Sequence, residues 1–216
     1  METHWKINQG KELLLFFTGW GMDQHPGNLL GSTRFDVCTC YDYRQPACPD
    51  DSRWQKYPRV TLVAWSMGIW AAEHILQGRD LPFGKKIAIN GTPYPVNDQW
   101  GIPEEIVRAT HKNLSSASLH RFYRRMYGGE TLYRAMSPHW PVVDPEERKE
   151  ELGFILDQKK HKNSLFWDKA ILSVNDKIFP IENLRRYWSG KTLCREIAAP
   201  HYPFHLYRNW EELIDD

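Results

Sequence analysis

The chain has 216 residues, 41% of them hydrophobic and 25% charged, and a formal net charge of +1. That balance suits one folded domain, or one domain with a modest insertion, and leaves no basic excess to make nucleic acid the expected partner. Its longest apolar runs, such as Leu13–Phe17, are too short to span a bilayer, and the first residues hold no signal-peptide core, so a cytoplasmic protein without membrane contact is expected.

The first apolar run, Leu13–Phe17, stops at Thr18-Gly19-Trp20-Gly21. Arg34–Tyr41 alternates and is rich in strand formers. Val60–Trp65 (VTLVAW) and Lys86–Ile89 (KIAI) follow, then Lys169–Val174 (KAILSV) and Lys191–Ile197 (KTLCREI). Near-continuous apolar runs of four to eight residues are what a parallel sheet buried on both faces needs. Helical periodicity falls between them, over Met67–Gly78, Glu182–Trp188 and Trp210–Ile214. The predicted fold class is therefore α/β, a mostly parallel sheet of about six to seven strands with helices on both faces. Residues 98–167 break the rhythm, with helices predicted over Pro103–Asn113, Ser116–Tyr127 and Asp144–Lys160. Ser115 or Ser116 suits a cap, and Asp144-Pro145-Glu146-Glu147 is a strong helix start. This divides the chain into a core of 1–97 and 168–216 and a helical insertion, or lid, of 98–167.

Ser66 stands where the run VTLVAW gives way to a helix, in Ala64-Trp65-Ser66-Met67-Gly68. A sharp strand-to-helix turn with small flanking residues lifts a serine hydroxyl above the strand end and aims helix N-terminal amides at developing negative charge. Ala64 replaces the first glycine of the usual G-x-S-x-G pattern. A capping serine in an ordinary turn gives the same local sequence.

A serine nucleophile needs a base, and the base an orienting acid. Asp176 follows the run KAILSV, and His201 follows KTLCREI, so both fall at the edge of the sheet where ligands bind. A solvated turn aspartate is the competing reading of Asp176. His205 is the rival base, but its place beside the closing helix suits capping or packing. The glycine-flanked Trp20 follows the first run. Cys38 and Cys40, two apart on a strand, read as buried thiols; with Cys48 and Cys194 they form no metal-binding or redox spacing, and no metal site is expected.

Four segments together give the chain a family resemblance: FTGWGMD at 17–23, AWSMG at 64–68, NDKIFP at 175–180 and HYPFH at 201–205. They resemble the α/β-hydrolase superfamily and, more narrowly, the short form of the pimeloyl-[acyl-carrier protein] methyl ester esterases of biotin synthesis. The resemblance implies an α/β-hydrolase fold and hydrolysis of that methyl ester without a cofactor. Ser66 would be the nucleophile, His201 the base and Asp176 its orienting acid. The backbone N–H groups of Trp20 and Met67 would form the oxyanion hole. A general carboxylesterase or thioesterase, or a non-catalytic binding protein on the same fold, are the alternatives.

The implied partner, acyl-carrier protein, is acidic. Residues 106–129 contain Arg108, Lys112, Arg121, Arg124 and Arg125 and no acid. Arg121, Arg124 and Arg125 share one helix face by their spacing, which suits carrier docking and equally a solvated face. Lys159, Lys160 and Lys162 are a second basic cluster. Trp100, Phe122, Tyr123, Tyr127, Tyr133 and Trp140 line an acyl channel or pack the insertion's own core.

Overall fold

A computed structural model describes residues 1–47, 52–158 and 165–216. Seven strands form one sheet in the order β1-β3-β2-β4-β5-β6-β7. They are β1 (Glu2–Lys6), β2 (Glu12–Phe17), β3 (Phe35–Tyr41), β4 (Val60–Trp65), β5 (Phe83–Ile89), β6 (Lys169–Ser173) and β7 (Leu193–Ile197). Neighbours are parallel throughout except for β1, which runs antiparallel to β3. The apolar runs explain the order. Every residue of β4 and Leu13–Phe17 of β2 is buried, which only central strands covered on both faces require. β7 closes one edge and is largely exposed.

β1 is not foreseen from the sequence. Its residues, ETHWK, are mostly polar and only partly buried, so an edge strand gives no apolar run to read. Cys38 and Cys40 lie buried on β3, as the strand spacing predicts.

The helices are α1 (His25–Leu29), α2 (Gly68–Leu76), α3 (Glu104–Lys112), α4 (Ser116–Met126), α5 (Glu130–Ala135), α6 (Pro145–Asp157), α7 (Ile181–Trp188) and α8 (Trp210–Asp215). Helices α3 to α6 follow one another between β5 and β6. Ser115 caps α4 in a reciprocal box with Ser118. Asp144 Oδ1 accepts from the Glu146 and Glu147 amides at the start of α6, with Pro145 in the first turn. The short α1 and α5 have too few turns for a periodic signal. Helix α6 ends at Asp157 rather than Lys160. Lys159, Lys160, Lys162 and Cys48 lie outside the described residues.

Strands β2 to β7 run parallel, so the loops at their C-terminal ends gather along one edge of the sheet. Trp20, Ser66, Asp176 and His201 all lie in such loops. Helix α6 is fastened over the β3 end of that edge. Arg148 Nη2 meets Asp42 Oδ2 at 3.0 Å, and Glu151 Oε1 accepts from the Tyr43 amide at 2.8 Å. Among the described residues, no helix is long and apolar enough to cross a membrane.

Candidate active site

Ser66 begins the turn from β4 into α2 with φ of 60°, a left-handed conformation uncommon for any residue but glycine. Two contacts hold it there. Its amide donates to the Ile89 carbonyl at 2.8 Å. Gly68 lets the turn sit against the end of β2, since a Cβ at that position would fall 2.3 Å from the Thr18 carbonyl oxygen. Alanine at 64 is accommodated inside the buried strand.

The turn brings Ser66 Oγ to 2.9 Å from His201 Nε2, and His201 Nδ1 to 2.7 Å from Asp176 Oδ2. The other carboxylate oxygen, Oδ1, accepts from the Ile178 and Phe179 amides at 2.7 and 3.0 Å. Asp176 is thus fixed by its own loop and aimed at the imidazole. With Nδ1–H donated to Asp176, the Nε2 lone pair faces the serine hydroxyl. Both side chains of the pair are buried, at 1% and 0% exposure, so a dry environment strengthens the interaction. Phe179 stacks on the imidazole with an interplanar angle of 6°, and Trp65 packs beside it at 5.3 Å. The Trp65 indole N–H also donates to the His201 carbonyl at 2.9 Å. His205 is turned elsewhere: its Nδ1 meets the Tyr202 carbonyl at 3.0 Å, and burial lowers its pKa.

Trp20 and Met67, the residue after Ser66 in the chain, line a pocket with Ile106, Val107, Phe122 and Arg125. Among the described residues, neither the Trp20 nor the Met67 backbone N–H has a protein acceptor. The pocket's volume is about 40 Å³. Phe122 is the aromatic of the insertion that reaches this pocket. Tyr123, Tyr127 and Tyr133 belong to the buried core, and Trp100 lines a separate groove. Among the described residues, no three His, Cys, Asp or Glu side chains cluster as metal ligands do.

Arg121, Arg124 and Arg125 lie exposed on α4. Two of them have partners from outside the acid-free segment. Arg124 pairs with Glu130 at 2.6 Å, and Arg125 donates to the Lys177 carbonyl at 2.7 Å, beside Asp176. Arg108 pairs with Glu104 at 2.6 Å, while Lys112 is exposed. The contact from Arg125 to the acid loop spans 52 residues and has no local sequence signal.

The sequence profile of the family described as pimeloyl-ACP methyl esterase BioG matches residues 1–213. The chain belongs to this family. BioG of Haemophilus influenzae, seen in a crystal structure, shares 34% of its sequence with this chain and superposes with a TM-score of 0.91 over 100% of both chains. A malonyl-[acyl-carrier protein] O-methyltransferase of Bacteroides fragilis is 41% identical over 197 residues. That match takes in 89% of this chain, which spans only 40% of the methyltransferase. A lipase-esterase related protein of Clostridium acetobutylicum, at 12% identity and a TM-score of 0.64 over 94% of this chain and 93% of its own, shares the fold. This BioG-family chain has the α/β-hydrolase fold that its sequence predicts.

Proposed function

We propose that the protein is a serine esterase that cleaves the methyl ester of pimeloyl-acyl-carrier protein, releasing methanol and the free acid. The observation that carries this reading is the unbroken hydrogen-bonded line from Ser66 through His201 to Asp176, in a chain of the BioG family.

Ser66 Oγ attacks the ester carbonyl carbon while His201 Nε2 takes its proton. The carbonyl oxygen becomes an oxyanion and accepts from the Trp20 and Met67 amides. Collapse breaks the bond to methoxide, which leaves as methanol with the proton from His201. Water then gives a proton to the same nitrogen and attacks the acyl-enzyme; the acyl–Oγ bond breaks, His201 returns that proton to Ser66 Oγ, and the acid leaves. Asp176 keeps the imidazole in the working tautomer and stabilises its charged form. No step calls for a metal or cofactor.

The segment 98–167 acts as a lid, and the exposed face of α4, led by Arg121, receives the acidic carrier protein. The carrier-linked activity in the name of the Bacteroides fragilis relative favours a carrier-bound substrate. The small pocket suits the methoxy end of the ester and supports a second reading, a general small-ester hydrolase. Methanol release from carrier-bound pimeloyl methyl ester, set against a free methyl ester, separates the two. Turnover that disappears in Ser66→Ala supports both; turnover only on the carrier-bound ester supports the first. Retention of more than about a tenth of wild-type turnover by Ser66→Ala overturns the serine mechanism, because nucleophile losses span several orders of magnitude.

A further inference from the structure

We infer that Asn90 is a positioning residue that keys the loops carrying Ser66, Asp176 and His201 to one another. The inference rests on the serine-esterase reading of that site.

Asn90 follows β5, is completely buried, and has φ of 48°. Asparagine is among the few residues that enter this left-handed region at modest cost. Its amide group is fully engaged. Oδ1 accepts from the Ser173 amide at 2.7 Å. Nδ2 donates to Ser173 Oγ at 2.8 Å and to the His201 carbonyl at 2.9 Å, so its two hydrogens meet two acceptors.

These partners reach every member of the site. Ser173 ends β6, and its carbonyl accepts from the Asp176 amide at 3.2 Å. The His201 carbonyl carries the base directly. On the nucleophile side, the two neighbours of Asn90 enclose the Ser66 backbone. Ile89 accepts the Ser66 amide at 2.8 Å, and a Cβ on Gly91 would fall 2.3 Å from the Ser66 carbonyl oxygen. The left-handed turn at 90 thus presses one chain segment against the nucleophile while its side chain grips the acid and base loops. Trp65 supplies the second donor to the His201 carbonyl. Removing the Asn90 side chain leaves the His201 carbonyl with the Trp65 donor and unties it from Ser173, so the 2.9 and 2.7 Å bonds that the imidazole must make simultaneously lose part of their common frame. Aspartate fits the same space but, when ionised, offers no hydrogen to the His201 carbonyl.

The test uses Asn90→Asp and Asn90→Gly, both compatible with the left-handed backbone, on the full chain with p-nitrophenyl acetate. Near-UV circular dichroism establishes the folded fraction. Folded variants should lose roughly 10- to 100-fold in kcat with KM within about twofold, the scale at which misplacement by about 1 Å acts. The ring nitrogen and Nδ1–H signals of His201 in NMR spectra should shift or broaden together with that loss. Folded variants with kcat within about twofold of wild type and unchanged His201 signals overturn the proposal, as does a loss that merely follows the unfolded fraction. If neither variant folds, Ser173→Ala decides, since it removes one Nδ2 acceptor: altered His201 signals support the role and unaltered ones overturn it. A wild type without ester turnover counts against the serine-esterase reading alone, because the ring signals report on Asn90 independently.

Discussion

The indole N–H of Trp20 donates to the backbone carbonyl of Arg148 at 2.8 Å, across 128 residues of sequence. The loop after β2 is therefore tied to helix α6. The Gly21 amide also reaches Glu151 of α6 at 3.5 Å, and Tyr123 Oη of α4 donates to the Gly21 carbonyl at 2.7 Å. The backbone amide proposed for the oxyanion hole is thus set by α4 and α6 as well as by the sheet. Trp20→Phe keeps that amide and the packing on Phe122, but cuts the tether. It should lower stability by about 0.5–1.5 kcal/mol, the net worth of one hydrogen bond, since the Arg148 carbonyl keeps its place in the ladder of α6. It should also lower kcat more than it raises KM, because the oxyanion forms only in the transition state. Urea denaturation and steady-state kinetics check the two effects; unchanged kcat would show that the loop is held without α6.

The base is tested by comparing two histidines four residues apart. His201→Ala should remove almost all activity, whereas His205→Ala should stay within about threefold, since among the described residues the His205 side chain meets the Tyr202 carbonyl in its own loop and not the triad. Activity lost with His205 and retained with His201 would reverse the assignment. Asp176→Asn should fall by orders of magnitude while folding normally, because an amide at Oδ2 favours the wrong imidazole tautomer.

Ser66, Asp176 and His201 stand out in the sequence because each comes shortly after a strand-forming run, buried in β4 and β6 and exposed at the edge in β7, and parallel strands gather those ends on one side of the sheet. The loop of Trp20 is readable for the same reason. What joins them is not. Asn90 follows KIAI as an unremarkable polar residue, and Trp65 reads as part of a motif rather than as a donor to the His201 carbonyl. Arg148 and Glu151 look like ordinary charges in a helix of mixed sequence, yet both are buried. Their partners, Asp42 and the Tyr43 amide, lie over 100 residues earlier, and only the tertiary fold brings them together. The strand missed among the described residues, β1, has an edge position and so no apolar signature.

Glu151 gives the fold a specific pH dependence. Complete burial pushes its pKa up from 4.5 to about 7, with Arg148 and the Tyr43 and Gly21 amides opposing the rise. Between these two values the folded state holds a proton that the unfolded state has released. Stability therefore falls as pH rises through this window, and the shift corresponds to about 3 kcal/mol at its end. Glu151→Gln cannot ionise and should lack this decline. The difference in unfolding free energy between wild type and variant should move in favour of the variant from pH 5 to pH 8. Parallel profiles over that range would mean that Arg148 keeps Glu151 ionised throughout.

The face of α4 is tested through its arginines, which do different work. Arg121 and Arg124 are exposed; Arg124 pairs with Glu130 at 2.6 Å and lies 5.0 Å over the Tyr133 ring, surface contacts that solvent screens. Arg121→Glu with Arg124→Glu should therefore fold normally. If this face receives an acidic carrier protein, the double variant should raise KM for the carrier-bound ester at least tenfold and leave a free ester within about twofold. Salt should weaken the wild type in the same selective way, as the screening length falls from about 8 Å at physiological strength to about 3 Å at 1 M. Arg125 is a poor probe of docking, because it holds the Lys177 carbonyl next to Asp176 and lines the pocket. Arg125→Ala should depress both substrates together. Equal defects on both substrates in the double variant would move Arg121 and Arg124 from docking to support of the lid, and no defect on either would leave them a solvated face.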